Sequence, residues 1–135
     1  MICIRQHGDG QQLFDIEQFL PVLEENVDIV RWDIQVDWCS GDNCLLVEKS
    51  ANAPWGGTHE EFKDLYKGIL QTIDGEFRIV ATQGNIHMLA VDSSYWEIDS
   101  SIPGLECIFM SLFGPYVSPF ALHLSPPDNF EAGDL

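Results

Sequence analysis

The chain has 135 residues, of which 45% are hydrophobic, and it carries 22 acidic against 6 basic side chains, a formal net charge of −16. This length suffices for one domain with its own core, and the hydrophobic content is too high for a disordered acidic tail. The charge disfavours direct binding to nucleic acid or anionic lipid, and the sequence has no run of about 18 apolar residues that would span a membrane.

The first predicted element is a helix over residues 15–25. Asp15 and Gln18 have the spacing of a capping box, in which each side chain bonds the other residue's backbone N–H. One face of this helix is apolar and consists of Ile16, Phe19, Leu20 and Leu23. Pro21 lacks a backbone N–H, so it predicts either a kink or a helix that begins at Pro21 itself.

The next predicted element is a strand over residues 29–38. Polar and apolar side chains alternate along it, and the apolar set is Val30, Trp32, Ile34, Val36 and Trp38. This period of two predicts one buried face and one water-exposed face, which carries Asp33 and Asp37. After a turn over residues 40–43, residues 44–48 are predicted to return as the partner strand of a hairpin.

A second helix is predicted over residues 58–73. Thr58 and Glu61 form another capping box, and an apolar stripe at helical spacing follows, made of Phe62, Leu65, Tyr66, Ile69, Leu70 and Ile73. We expect this helix to end at Asp74 and to pack on the strand over residues 29–38. Its stripe then buries Leu65, Ile69 and Ile73 against that strand.

The second half of the chain is predicted to be mainly strand. Residues 76–82 and 86–92 form a hairpin, and residues 95–98 add a short strand. The segment 105–113 is apolar at nearly every position, so its periodicity does not separate a buried strand from a buried helix. Residues 125–135 are predicted to be a loose tail. The expected fold is a single α+β domain over residues 1–135, mainly an antiparallel sheet with two helices, with a ferredoxin-like (split βαβ) arrangement and extra C-terminal strands as one option.

Catalytic and cofactor motifs are missing from the sequence: it has no nucleophile elbow, zinc-protease motif or phosphate-binding loop. We therefore expect a non-enzymatic role without a cofactor. Cys39 and Cys44 are expected to face each other across the hairpin as free thiols, able to form a disulfide in an oxidising medium. A zinc site with His59 as third ligand is the alternative, disfavoured because the C-x4-C spacing has no second ligand pair.

An acidic surface around an aromatic anchor is the best candidate for a binding site. The exposed strand face, the hairpin tip and the start of the second helix supply Asp33, Asp37, Asp42, Trp55, Glu60, Glu61 and Asp64. If the hairpin and the helix start lie on one side, these acids would steer a cationic protein and Trp55 would anchor it. The alternative is that Trp55 packs on its own loop and that the acids only keep the surface soluble.

The small size, the acidity, the α+β pattern and the segment Asp92-Ser93-Ser94-Tyr95-Trp96-Glu97-Ile98 resemble bacterial toxin immunity proteins of polymorphic or contact-dependent systems. The resemblance is one of general type and transfers no residue roles. It implies a protein that binds and inhibits the C-terminal domain of a cognate toxin, often a basic nuclease. Residues 1–7 lack the pattern of an export signal, so a cytoplasmic location is expected. The alternatives are a phage-type anti-defence protein that mimics DNA charge, and a small ferredoxin-like enzyme or ligand-binding domain.

Overall fold

The structure is a computed structural model that describes residues 1–118. Its helices are α1 (Ile16–Asn26), α2 (Cys44–Glu48), α3 (His59–Tyr66) and α4 (Leu105–Phe113), with 3-10 turns at Lys49–Ala51 and Gly114–Tyr116. Its strands are β1 (Ile2–Arg5), β2 (Ile29–Gly41), β3 (Trp55–Gly57), β4 (Ile69–Ala81), β5 (Gly84–Val91), β6 (Tyr95–Ser100) and β7 (Val117–Ser118). No helix within these residues is long and apolar enough to cross a membrane.

The seven strands form one sheet in the order β3-β2-β4-β5-β6-β1-β7, and every pairing in it is antiparallel. The α+β class with an antiparallel sheet is therefore confirmed. The ferredoxin-like option is wrong, because β4, β5 and β6 lie side by side in chain order, whereas two split βαβ units would interleave their strands. The expected number of two helices is also wrong, since the described part of the chain contains four.

One face of the sheet carries the hydrophobic core. Trp32 of β2 stacks on Phe62 of α3 with ring centroids 3.6 Å apart, and Phe19 of α1 meets Trp96 of β6 edge-on at 5.3 Å. Phe109 of α4 packs in turn on Phe19. Helices α1, α3 and α4 therefore cover the same side of the sheet, and we call the opposite side the open face. At its β1–β6 end Cys3 and Tyr95 form a small buried cluster.

Residues 44–48, expected to be a strand, form helix α2 instead. The partner of β2 is β4, which pairs with it from Ile29 to Gly41. Strand β3 covers only residues 32–34 of the other edge of β2, and side chains from residues 48–50 complete it. Ser50 Oγ accepts from the Val36 backbone N–H at 2.8 Å, and Glu48 Oε2 accepts from that of Cys39 at 2.9 Å. A short helix thus takes the place of the expected strand.

The helix predicted over residues 58–73 is confirmed only in its first half. The capping box between Thr58 and Glu61 is present, but α3 ends at Tyr66 and strand β4 begins at Ile69. Gly68 separates the two elements with φ = +83°, a left-handed conformation that glycine adopts without strain. Because the chain turns at Gly68 into β4, Ile69 is buried as a residue of the sheet. Leu65 and Ile73 are only half-buried, so the expected full burial of both is wrong.

The N-terminal helix is confirmed as α1, with Asp15 as its cap and Pro21 inside it on the exposed side. Asp15 also reaches β4. Its carboxylate accepts from the Ile16 N–H at 2.8 Å, the Thr72 N–H at 2.7 Å and the Thr72 hydroxyl at 2.9 Å. The Tyr66 hydroxyl is hydrogen-bonded to the same Thr72 hydroxyl. A buried polar chain therefore joins the cap of α1, the end of α3 and the start of β4.

Strand β2 follows the predicted alternation only in its middle. Trp32, Ile34 and Val36 are buried, but Val30 is 51% and Trp38 is 57% exposed, so their expected burial is wrong. The register with β4 shifts between Ile29 and Arg31 and again between Val36 and Trp38. Each shift inserts one extra residue into β2, a β-bulge that reverses which side the next residues face.

The remaining expectations fall near their predicted positions. The hairpin over residues 76–82 and 86–92 is confirmed as β4 and β5, and the short strand over residues 95–98 is confirmed as β6. The undecided segment 105–113 is helix α4. The predicted loose tail, residues 125–135, lies outside the described residues.

Candidate functional site

The open face carries rows of charged side chains, because residues paired across antiparallel strands point to the same side. One row runs across four strands, where Asp33 pairs with Arg78, Arg78 with His87, and His87 with Asp99. Two acids therefore flank two bases along this row. Its side chains stay accessible, since those of Asp33, Arg78, His87 and Asp99 are 45%, 67%, 42% and 65% exposed.

Glu76 lies in the middle of this face and accepts hydrogen bonds from two basic side chains. Its Oε2 atom accepts from His87 Nε2 at 2.6 Å and from Arg78 at 2.9 Å. The hydrogen bond from His87, together with the charge and hydrogen bond of Arg78, lowers the pKa of Glu76 below its ordinary value. Glu76 is therefore held ionised, and it fixes the positions of both basic side chains.

A second ion pair lies at the edge of the same row. Arg31 donates to both carboxylate oxygens of Asp33, at 2.7 and 3.0 Å, a bidentate arrangement. The hydrogen bonds from Arg31 lower the pKa of Asp33 below its ordinary value. Two arginines of this face are thus already paired with carboxylates of the face itself.

Shallow depressions lie on the open face beside this row of charged side chains. The larger one has a volume of about 610 Å³ and is lined by residues that include Asp33, Arg78, His87, Asp99 and Ser101. A second has a volume of about 320 Å³ and is lined by residues that include Asp37, Asp74, Glu76, Leu89 and Val91. The open face is therefore contoured, and carboxylates border both depressions.

The β-bulge in β2 places Trp38 on this face. Val36 points into the core opposite Gly75, whereas Trp38 is paired with Asp74, the neighbour of Gly75 that faces the other way. Asp37 is the extra residue, and it is exposed as well. Two consecutive residues, Asp37 and Trp38, are thus presented to solvent at one end of the open face.

The structure separates the acidic surface that the sequence indicated. Asp33 and Asp37 lie on the open face, whereas Glu60, Glu61 and Asp64 lie on α3, which packs on the other side of the sheet. Glu61 is engaged in the capping box, and Glu60 lies 3.8 Å from Lys63. The sheet therefore divides these acids between two surfaces.

The remaining two expected residues also lie away from the open face. Trp55 pairs with Ile34, which places it on the core side, and its ring packs beside Phe62 with centroids 6.3 Å apart. Trp55 is only partly exposed, as expected for a residue that packs on its own neighbourhood. Asp42 is exposed at the end of β2, where its backbone N–H donates to the Gly68 carbonyl at 2.9 Å.

Within residues 1–118 no cysteine forms a disulfide, and Cys39 and Cys44 do not face each other across a hairpin because Cys44 begins α2. The Cys39 thiol donates to the Cys44 carbonyl at 3.7 Å. Burial, with the nearby charge of Glu48, raises the pKa of Cys39 to about 12, so the thiol stays protonated and is a poor metal ligand at neutral pH. Within residues 1–118 no group of three or more His, Cys, Asp or Glu side chains is arranged to hold a metal ion.

Sequence reasoning missed the role of His59. Its Nδ1 accepts from the indole of buried Trp32 at 3.0 Å, and its Nε2 lies 2.7 Å from Glu24 of α1. Lys63 lies 3.0 Å from the same Glu24 carboxylate. Hydrogen bonds from His59 and Lys63 lower the pKa of Glu24 below its ordinary value. This cluster connects α1, α3 and β2, so its evident role is structural.

The chain matches no known protein-family model, no curated protein and no solved structure.

Proposed function

We propose that this protein is a non-enzymatic inhibitor that binds a basic protein partner through the open face of its sheet. In the class of immunity proteins that the sequence resembles, the partner is a bacterial toxin domain and the inhibitor acts in the cytoplasm. The observation that carries the proposal is the open face itself. Its carboxylates come from neighbouring strands and surround two depressions.

The balance of charge on this face supports a cationic partner. The basic side chains Arg31 and Arg78 are held by Asp33 and Glu76, which leaves Asp37 and Asp74 without a basic ion-pair partner among residues 1–118. The chain as a whole has an excess of acids, 22 against 6. A field of one sign steers an oppositely charged partner and raises its association rate.

The rigidity of the face supports the same proposal. The hydrogen bonds to Glu76 and Asp33 hold the side chains of Arg31, Arg78 and His87 in place before a partner arrives. Side chains that are already ordered lose less conformational entropy on binding. A preorganised, charged sheet surface is therefore suited to tight recognition of a folded domain.

The test first identifies the genes adjacent to the one that encodes this chain. A toxin domain found among them is co-expressed with the chain in a growth assay and mixed with it in binding kinetics. The open-face variant Asp37→Asn/Asp99→Asn is compared with the α3 variant Glu60→Gln/Asp64→Asn, which removes the same charge from the other side. We expect the open-face variant to slow association several-fold at low salt and little at high salt, because salt screens exposed charges. The α3 variant should associate almost as fast as the wild-type chain.

Two outcomes contradict the proposal. If only the α3 variant slows association, the partner binds on the helix side, where the sequence placed Glu60, Glu61 and Asp64. If the wild-type chain gives no growth protection against the toxin, the inhibitory role itself is wrong.

A further inference from the structure

Trp38 is the one tryptophan among the exposed large hydrophobic residues of the described chain. Its exposed fraction is 57%, whereas Trp32 and Trp96 are fully buried and Trp55 is partly covered. The β-bulge at Asp37 keeps it on the open face, where the alternation of the strand alone would have buried it. The backbone of the bulge thus keeps the indole exposed to solvent. Tryptophan is enriched among the residues that contribute most to protein–protein binding.

Trp38 is not itself among the residues that line the depression of about 320 Å³, but its immediate neighbours are. Asp37, its neighbour in sequence, and Asp74, its cross-strand partner, both line that depression, as does Glu76. Leu89 and Val91 supply an apolar part of the lining, and the volume of about 320 Å³ is at the lower end for a ligand pocket. We call Asp37, Trp38, Asp74 and this depression the Trp38 corner.

We infer that the Trp38 corner binds an arginine side chain of the basic partner, an inference that rests on the proposed function. A guanidinium group stacks on an indole face, and it donates paired hydrogen bonds to carboxylates such as those of Asp37 and Asp74. The methylene stem of the arginine lies against Leu89 and Val91. A lysine ammonium has the charge but neither the planar face nor the paired donors, so the corner prefers arginine.

The test uses two capped peptides of equal length and charge, hexa-arginine and hexa-lysine, titrated into the full chain. The readouts are the dissociation constants and the NMR signal of the Trp38 indole N–H, assigned from its absence in Trp38→Leu. We expect hexa-arginine to bind about two- to fivefold more tightly, the factor that an exposed cation–π contact supplies, and to shift that signal. Trp38→Leu should remove the preference, while Leu45→Ala, at an apolar position that is 78% exposed, should keep it.

Equal affinity of the wild-type chain for both peptides would overturn the inference, and so would a preference that survives in Trp38→Leu. Either result leaves the binding of the folded toxin domain to be decided by the charge variants of the open face. Conversely, if those charge variants leave toxin binding unchanged, the proposed function of the open face fails even where the peptides show an arginine preference. The peptide titrations therefore test the arginine inference, and the charge variants test the proposed function.

Discussion

The indole N–H of Trp32 donates to Nδ1 of His59 over 3.0 Å. Because an indole nitrogen only donates, Nδ1 must carry a lone pair and the imidazole proton must reside on Nε2. That Nε2–H then donates to the Glu24 carboxylate over 2.7 Å. A single neutral imidazole with a defined tautomer therefore connects β2, α3 and α1.

Removal of this imidazole should destabilise the fold. In His59→Ala the buried Trp32 N–H loses its acceptor, and we expect a loss of about 1–3 kcal/mol in the free energy of unfolding. His59→Asn offers a carbonyl oxygen near the position of Nδ1 and should lose less. Urea denaturation of the three proteins measures the difference. Equal losses in both variants would contradict the role of the Trp32 bond, and ¹⁵N NMR of His59 checks the tautomer directly.

The buried carboxyl of Asp15 should make stability depend on pH. Burial raises its pKa from 3.8 to about 6 despite the hydrogen bonds from Thr72 and Ile16. Because the folded state holds the proton more tightly than the unfolded state, this group's contribution is fully present below about pH 4 and is lost as the pH rises through about 6. The wild-type chain should therefore gain about 2 kcal/mol over Asp15→Asn when the pH falls from 7 to 4.5.

The comparison with Asp15→Asn is needed because other carboxyl groups act in the opposite direction. The pKa values of Glu24, Asp33 and Glu76 are lowered by their basic partners, so their contributions are lost at low pH. Urea unfolding of both proteins at the two pH values cancels these shared effects. A constant difference between the two proteins would show that Asp15 titrates at its ordinary value in the folded state.

The two tryptophans of β2 should behave in opposite ways. Trp32→Ala empties a site stacked on Phe62 and should cost about 3–5 kcal/mol, whereas Trp38→Ala removes an exposed side chain and should change stability by about 0.5 kcal/mol or less. Trp38→Phe should also remove most of the fluorescence that acrylamide quenches. Strong destabilisation by Trp38→Ala would mean that the indole is packed and that the bulge does not turn it outward.

Two apolar residues of α3 are buried to different extents, so alanine substitutions at them should lower the free energy of unfolding by different amounts. Phe62 is fully buried between Trp32 and Tyr66, so Phe62→Ala should cost about 3–5 kcal/mol. Leu65 is half-buried, so Leu65→Ala should cost about 1 kcal/mol, below the 2–5 kcal/mol typical of core leucines. Thermal or urea unfolding measures the loss of stability in the two variants. An equal loss in both would mean that Leu65 is buried in the core, as the helical stripe predicted.

Ser50 should stabilise the edge of β2 through one hydroxyl. Its Oγ accepts from the Val36 N–H and donates to the Val47 carbonyl at 2.7 Å. Ser50→Ala leaves that buried N–H without a partner and should cost about 1–3 kcal/mol. Hydrogen exchange at Val36 should accelerate in this variant, while exchange at Ile34, which lies in the β2–β3 pairing, should stay slow. Unchanged exchange at Val36 would contradict the assignment.

The helix starts could be predicted from the sequence because the capping box depends only on residues three positions apart. Both boxes, at Asp15 and Thr58, are present. The end of α3 could not be predicted in the same way, since the apolar stripe continues at helical spacing as far as Ile73. After α3 the chain turns at Gly68 onto β2, where the Asp42 backbone N–H donates to the Gly68 carbonyl and a side chain at Gly41 would meet that carbonyl at 2.2 Å. Such a long-range contact is not visible in the local sequence.

The candidate site was predictable only in part. Alternation along residues 29–38 placed Asp33 and Asp37 outside, but it also placed Trp38 inside, because a period of two contains no bulge. Gly75 was the feature of the sequence that could have indicated the bulge. A glycine inside a strand often marks a bulge, and here a side chain would lie 3.1 Å from Val36 and 3.2 Å from Thr72. The cross-strand register that joins Glu76 to His87 depends on long-range pairing, which local sequence does not encode.

The way in which residues 48–50 complete the edge of β2 has a consequence for evolution. Because Ser50 and Glu48 occupy the Val36 and Cys39 N–H groups, an incoming strand has no donors to pair with there. Association through this part of the chain therefore depends on side chains, which mutate one at a time, and not on the shared chemistry of the backbone. This edge can therefore gain or lose contacts in single steps, residue by residue, while the sheet beneath stays the same.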